Sequence, residues 1–317
     1  MQLGLIGYPL GHSFSAKYFG EKFAREGIKA DYRLYEIASA EDKATIAAVR
    51  TLDGFNVTSP YKEAVIPYMD ALNETAIAVG AVNVVKREGE HWTGYNTDCI
   101  GFREDLMGFD GLAIDSVRAL VLGTGGAAKA VAYALRQLRV RYTVVSRQPT
   151  ERASEAVFAG SEAVGYEALN EEIMAAHRLI VNCTPLGMGA RKEACAPIPY
   201  QWIGSGHFLY DCIYNPAETE FLRRGRLQGA RTRNGLGMLV RQAEAAWRVW
   251  KGGPTPPLPT REGDLRETCD RPAGDPRETR EKIEGKGAYI WICSALRSLT
   301  MMCRCRTSSA IPECLIT

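Results

Sequence analysis

The stretch Ala119-Leu120-Val121-Leu122-Gly123-Thr124-Gly125-Gly126-Ala127-Ala128, with a helical run over 129–138 behind it, decides the fold. Four apolar residues in a row, at strand length, read as a buried strand. A glycine-rich turn follows and a helix opens directly after it. That context lifts a G-x-G-x-x-G/A match above chance. Gly123 permits the tight turn, Gly125 has no Cβ to obstruct a pyrophosphate, and Ala128 at the third position keeps helix and strand close. The phosphates of a dinucleotide would rest on the helix N-terminus, where free N–H groups and the helix dipole favour anions. An NAD site places Asp or Glu at the end of the next strand, about 20 residues past the glycines, on the ribose hydroxyls. Here that position reads Ser146-Arg147-Gln148. A carboxylate would repel a 2′-phosphate, whereas Arg147 can pair with one through its fork of donors. The sequence therefore favours NADP as cofactor.

Outward from this unit, residues 1–251 alternate short apolar runs with amphipathic stretches and turn residues, the mark of an α/β protein. Strands are expected over 3–6, 32–37, 55–57, 82–85, 119–122, 142–145, 179–182 and 208–211. Helices are expected over 16–26, 41–49, 98–107, 127–138, 217–224 and 236–250. Ser15 is the expected N-cap of the first helix, because its hydroxyl can accept from an orphan helix N–H. The length of 317 residues suggests two domains. Residues 252–317 differ from the rest: they open Gly252-Gly253-Pro254-Thr255-Pro256-Pro257-Leu258-Pro259, which cannot continue a helix. Charge-rich, turn-like sequence follows, and the tail is expected to be disordered.

Composition narrows the function classes. Apolar residues make up 46% and charged residues 24%, as in soluble globular proteins. No apolar run approaches the ~20 residues of a membrane span, so no membrane partner is expected. The N-terminus, MQLGLIGYPLGHS, lacks the basic region and long apolar stretch of a signal peptide. The net charge of +2 arises from intermixed signs with no basic stripe, which argues against nucleic acid. The nine cysteines contain no C-x-x-C pair, so no metal is expected. They are read as reduced thiols, and the protein as cytoplasmic.

Three segments before the glycine turn are dense in small polar residues. In Gly7-Tyr8-Pro9-Leu10-Gly11-His12-Ser13-Phe14-Ser15, two serines at i, i+2 near a helix start can present hydroxyls and backbone N–H groups to one anion, such as a carboxylate. In Asn56-Val57-Thr58-Ser59-Pro60-Tyr61-Lys62 a strand ends in a polar turn, at the kind of strand end where open α/β sheets bind ligands. Gly80-Ala81-Val82-Asn83 is followed, after a hairpin, by Gly94-Tyr95-Asn96-Thr97-Asp98. Taken singly, Lys62 is an ordinary surface charge and Asp98 a helix cap. Beside a dinucleotide loop they read as an acid/base pair. Moving a hydride between a nicotinamide and a carbonyl requires a proton to move at the oxygen, and a lysine next to an aspartate can carry it. In the direction of reduction a protonated Lys62 is already the useful acid.

With these blocks in order, the chain resembles the shikimate dehydrogenase family. Further blocks carry the resemblance: Asn182-Cys183-Thr184-Pro185-Leu186-Gly187-Met188, Asp211-Cys212-Ile213-Tyr214-Asn215-Pro216 and Asn234 through Gln242. It covers about residues 1–251. The resemblance implies reversible, NADPH-dependent reduction of 3-dehydroshikimate to shikimate, in aromatic amino-acid biosynthesis, by a monomer or homodimer. It implies a substrate domain over 1–100 plus 235–251 and a Rossmann-like NADP-binding domain over 101–234. Ser13, Ser15 and Thr58 would hold the substrate carboxylate with Tyr214 nearby, while Asn83, Asp98 and Gln242 would bind ring hydroxyls. Lys62 and Asp98 would be the catalytic pair. Gly123, Gly125, Gly126 and Ala127 would line the cofactor phosphates. Ser146 and Arg147 would meet the 2′-phosphate side, and Thr184, Ile213, Gly235 and Met238 the ribose and nicotinamide.

The 2′-phosphate segment departs from the family's usual Asn-Arg-Thr with a further basic residue three positions on. Glu151 stands at that later position, with Arg152 one step beyond. Two other readings compete. One is a quinate/shikimate dehydrogenase using NAD. The other is a non-catalytic metabolite-binding regulator of the same fold, which would have no need of Lys62 and Asp98.

Overall fold

The computed structural model describes residues 1–253 apart from His12, 39–42 and 150–155. Glu151, Arg152 and all of the expected disordered tail from 254 on lie outside the described residues. Contacts group the described residues into two units: Met1–Ala71 with Val85–Thr93, and Leu72–Val84 with 94–253.

The first unit opens with β1 (Gln2–Gly7), α1 (Phe14–Glu26), β2 (Asp31–Glu36), α2 (Lys43–Val49) and β3 (Gly54–Val57). β1 runs parallel to both β2 and β3, with Leu3 opposite Tyr32 on one side and Gly54 on the other. With β4 (Ala71–Leu72), β5 (Val84–Glu88) and β6 (His91–Tyr95) the sheet order is β2-β1-β3-β5-β6-β4. The N-cap of α1 is Ser13, not Ser15: its Oγ accepts from the Ser15 N–H at 3.3 Å, so the helix starts two residues early. Gly27 ends it in the left-handed region at φ 64°. Its buried Phe19 stacks on Tyr32 with ring centroids 4.6 Å apart.

The second unit comprises α3 (Glu74–Val79), α4 (Asp98–Met107), β7 (Arg118–Leu122), α5 (Gly126–Gln137), β8 (Arg141–Val145), β9 (Glu162–Val164), α6 (Glu171–Ala176), β10 (Leu179–Asn182), β11 (Phe208–Asp211), α7 (Glu220–Leu227), β12 (Arg231–Arg233) and α8 (Leu236–Trp250). Its sheet runs β12-β11-β10-β7-β8-β9, parallel throughout. Counted along the chain this is the 3-2-1-4-5-6 order of the doubly wound dinucleotide fold, which reverses direction between β7 and β10. Ala119 through Leu122 are wholly buried: Leu120 and Leu122 pack in one core with Ile180, Leu209 and Phe221, and Ala119 and Val121 in a second core with Ala128, Ala130, Val131 and Leu135 of α5. Alanines there let the helix backbone come close. Each fully buried Val or Leu contributes roughly 1.5–3 kcal/mol.

Some elements depart from expectation. The strand expected over 82–85 is Val84–Glu88, because Asn83 is drawn off into a polar cluster described below. The helix expected over 217–224 is Glu220–Leu227, capped by Thr219, whose Oγ1 accepts from the Leu222 N–H. β4, β9 and β12 are short edge or near-edge strands that no apolar alternation marks. The described cysteines, Cys99, Cys183, Cys195 and Cys212, are free thiols. Among the described residues no helix is long and apolar enough to cross a membrane.

Candidate active site

At the reversal of the second unit's sheet, Gly123 leaves β7 at φ 105°, a conformation that L side chains rarely adopt. Its N–H donates to the Val145 carbonyl at 2.9 Å, and a Cβ on it would stand 3.2 Å from Thr184 Cγ2. Gly125 is the N-cap of α5, and a Cβ there would meet nothing within 4 Å. The open space belongs to a cleft of about 420 Å³. Its walls are the turns after β7, β8, β9 and β10, and Gly123, Gly125, Ser146, Arg147 and Thr184 all line it. Gly126 and Ala127 form the first turn of α5 beside it. Ile213, Gly235 and Met238 are not among its lining: Ile213 follows β11, Gly235 packs on the Cys212 carbonyl, and Met238 is buried in the core.

Three lining residues escaped the sequence analysis: Tyr166, Arg191 and Pro197. All three sit in connections between strands and helices that no motif marks. Burial pushes the Tyr166 phenol up to about 12, against the pull of the nearby Arg147 charge. Two arginines and no carboxylate line the cleft. That donor set, with the bare Gly125 cradle, fits a dinucleotide that carries an extra phosphate.

A buried carboxylate holds the cleft's far wall. Asp211, wholly buried at the end of β11, accepts from Asn182 Nδ2 and from the Ile213 N–H, each at 3.0 Å, and from Thr219 Oγ1 at 2.5 Å. Burial raises its carboxyl to about 6 despite these donors. Asn182 in turn accepts from the Thr184 N–H at 3.1 Å and from Thr184 Oγ1 at 2.7 Å. The lining residue Thr184 is thus fixed through Asn182 by Asp211.

A second polar cluster joins residues far apart in sequence. Asn83 Nδ2 donates to Asp98 Oδ1 at 2.9 Å, to Thr97 Oγ1 at 3.1 Å and to Gln242 Oε1 at 3.4 Å. The Thr97 N–H donates back to Asn83 Oδ1 at 2.7 Å. Asn83, Asp98 and Gln242 are all buried. Asp98 opens α4, and Gln242 lies on α8. The two helices meet because residue 101 is glycine: a Cβ there would stand 2.5 Å from the Met238 carbonyl and 2.8 Å from the Gln242 nitrogen. Sequence reasoning missed Gly101, since a glycine inside a helix gives no sign of what it packs against. Tyr214 is half-buried in the turn after β11.

In the first unit, β1 and β3 are neighbours in register, so their carboxyl-end turns adjoin. The Tyr8 N–H donates to the Ser59 carbonyl at 3.1 Å, and a Cβ on Gly7 would stand 2.3 Å from Thr58 Cγ2. Ser13 and Ser15 at the head of α1, and Thr58 and Lys62 after β3, therefore share one end of the sheet, each half-buried. The Ser15 side chain hydrogen-bonds the Tyr32 phenol, which donates to Asn56 Oδ1 at 2.7 Å. Lys62 lies in this unit and Asp98 in the other.

A parallel sheet in this order, with a glycine turn and a phosphate-fitting cleft at its reversal, defines an α/β dinucleotide-binding protein. Comparison with known proteins narrows the class. Residues 5–85 match the family model described as the shikimate dehydrogenase substrate binding domain. The chain is 37% identical to the shikimate dehydrogenase (NADP(+)) of Moorella thermoacetica over 291 residues, 88% of this chain and 97% of that protein. It is 39% identical to that of Symbiobacterium thermophilum over 265 residues, 79% and 88% of the two chains. The Thermus thermophilus shikimate 5-dehydrogenase, solved in complex with NADP(H) and shikimate, superposes with a TM-score of 0.71 at 32% identity, covering 80% of this chain and 94% of that one. The quinate dehydrogenase of Corynebacterium glutamicum, solved with NAD, superposes at 0.70 and 31% identity, over 81% and 95%. The chain belongs to the shikimate dehydrogenase family.

Proposed function

We propose that this chain reduces 3-dehydroshikimate to shikimate, reversibly, with NADPH. The observation that carries the reading is the buried cluster of Asn83, Asp98 and Gln242, polar groups gathered from three segments where a scaffold alone would place apolar ones. Ser13, Ser15 and Thr58 bind the substrate carboxylate, with Tyr214 beside it, and Asn83, Asp98 and Gln242 bind the ring hydroxyls. Gly123, Gly125, Gly126, Ala127, Ser146 and Arg147 hold the phosphates, and Thr184, Ile213, Gly235 and Met238 the ribose and nicotinamide. Residues 1–100 plus 235–251 serve the substrate and 101–234 the cofactor, in a cytoplasmic monomer or homodimer.

When bound, the reduced nicotinamide supplies a hydride to the substrate's carbonyl carbon. Lys62, protonated, gives its proton to the carbonyl oxygen as that oxygen becomes a hydroxyl. Asp98, oriented by the Asn83 amide, accepts from the neighbouring ring hydroxyl. Thr184, held by Asn182, positions the cofactor.

Initial rates with shikimate or quinate, each with NADP⁺ or NAD⁺, test the reading. Turnover confined to shikimate and NADP⁺ is expected. Preference for quinate or NAD⁺ would move the assignment to the dual-substrate relative, and no turnover by folded protein would favour the regulator. Lys62→Ala should lower kcat by about 10²–10⁴-fold while leaving shikimate binding nearly intact. Asp98→Asn should also impair turnover. An undiminished kcat in either variant removes that residue from its role.

A further inference from the structure

We infer that Arg191 is a second guanidinium for the cofactor's 2′-phosphate, and so a determinant of the choice between NADP and NAD. The inference rests on the reading that the cleft holds NADP. Arg191 lies on the single 3-10 turn Gly189–Arg191, in the long connection after β10. Its backbone is tied down: its N–H donates to the Met188 carbonyl at 3.0 Å, and its carbonyl accepts from the Gly187 N–H at 3.0 Å and the Ala194 N–H at 2.9 Å. Its side chain is exposed, yet it lines the same cleft as Arg147. Among the described residues neither guanidinium makes a side-chain hydrogen bond or ion pair. Other surface arginines are matched: Arg223 and Arg224 with Glu220, and Arg226 with Glu218. Lys192, next to Arg191, leans towards Glu193.

The charges argue for a phosphate. A phosphomonoester carries about −1.5 to −2 at neutral pH, more than one guanidinium neutralises. Two arginines from the turns after β8 and β10, with no carboxylate among the lining residues, can neutralise it. The same pair has little to offer an unphosphorylated ribose, whose hydroxyls are best met by a carboxylate. Arg191 therefore adds discrimination rather than general affinity.

The test is calorimetric titration of the full chain, Arg191→Gln, Arg191→Lys and Arg147→Gln with NADP⁺, NAD⁺ and adenosine 2′,5′-bisphosphate. Arg191→Gln should weaken NADP⁺ and the bisphosphate by about 10-fold or more, the loss of one charge-assisted contact, and leave NAD⁺ within about 2-fold. Arg191→Lys should recover part of the loss, and rising salt should narrow the gap between parent and variant. If the parent binds NADP⁺ tightly and Arg191→Gln does too, the inference fails while the cofactor reading stands. Equal weakening of NADP⁺ and NAD⁺ also overturns it, because Arg191 would then meet a part common to both. If the parent binds neither dinucleotide, the cofactor reading fails and takes the inference with it.

Discussion

Replacing Asp211 with asparagine should change the protein's stability by an amount whose sign depends on pH. The folded carboxyl is raised from 3.8 to about 6, chiefly by burial. The folded state therefore holds its proton more tightly than the unfolded chain. The associated stability is fully present below about 3.8 and is lost as pH rises through about 6. A displacement of about two pH units, at about 1.36 kcal/mol each, makes the loss on the order of 3 kcal/mol. Asparagine does not titrate, so the variant escapes that loss. It keeps an oxygen for the Asn182 amide and the Ile213 N–H, but turns an NH₂ towards the Thr219 hydroxyl. The misplaced donor costs about 1 kcal/mol at any pH.

Relative to the parent, Asp211→Asn should thus be less stable by about 1 kcal/mol near pH 4 and more stable by about 1–2 kcal/mol near pH 7. Urea unfolding followed by tryptophan fluorescence, at half-unit steps from pH 4 to 7.5, measures the difference directly. A difference that stays constant across this range, or grows in the parent's favour with pH, would refute the reasoning. Asp211→Ala is the control for the hydrogen bonds themselves. It strands three buried donors at about 1–3 kcal/mol each and should destabilise by several kcal/mol near pH 4, where no charge is relieved. Because Asn182 loses its anchor, that variant should also raise KM for NADP⁺ more than KM for shikimate.

Three further expectations follow from close contacts. Gly101→Ala puts a Cβ 2.5 Å from the Met238 carbonyl, so α8 must shift. A loss of roughly 1–3 kcal/mol in denaturant unfolding is expected, with KM for shikimate raised several-fold as Gln242 leaves Asn83. Gly123→Ala forces a φ of 105° on an L side chain and crowds Thr184. It should cost about 1–3 kcal/mol and weaken NADP⁺ binding in a titration, leaving shikimate binding little changed. His177 is buried with Nδ1 2.8 Å from the Ile173 carbonyl, so that nitrogen holds the proton and Nε2 accepts from Thr143 Oγ1 at 3.0 Å. Burial lowers its pKa, so its contribution is present above the usual 6.5 and is lost as pH falls below it. His177→Gln should flatten the stability profile between pH 5 and 7, and an unchanged slope would count against the neutral form.

What could be read from sequence depended on how local its cause was. The glycine turn was legible because strand, turn and helix are contiguous, and each glycine answers a requirement set within ten residues. The strands expected over 179–182 and 208–211 were legible as apolar runs, each closed by one polar residue, and the helix over 98–107 by Asp98 at its start. The cap of α1 was misplaced by two residues because Ser13 and Ser15 are chemically equal candidates, and only the backbone of residue 13 chooses between them. β12, with sequence Arg-Thr-Arg, has no apolar alternation; its place beside β11 is decided by the sheet, not by its own residues. Gly101, Tyr32, Tyr166 and Arg191 could not be found, because each matters only through a partner many residues away.

The register of the parallel strands explains why a site scattered over the chain could nonetheless be recognised as ordered blocks. In the second unit Leu122 stands opposite Asn182, and Asn182 opposite Asp211. The turns that follow are therefore side by side, although about 60 and then 30 residues separate them along the chain. In the first unit Ile6 stands opposite Val57, which sets the turn bearing Ser13 and Ser15 beside the one bearing Thr58 and Lys62. A polar residue just past a strand end is exposed to ligand, while its neighbour one step earlier is locked in the sheet. A slip of one residue would send Asn182 into the apolar core and leave Asp211 without its amide partner. The apolar run of each strand thus does more than build the core, because its last residue fixes which polar side chain emerges and which one from the next strand it meets.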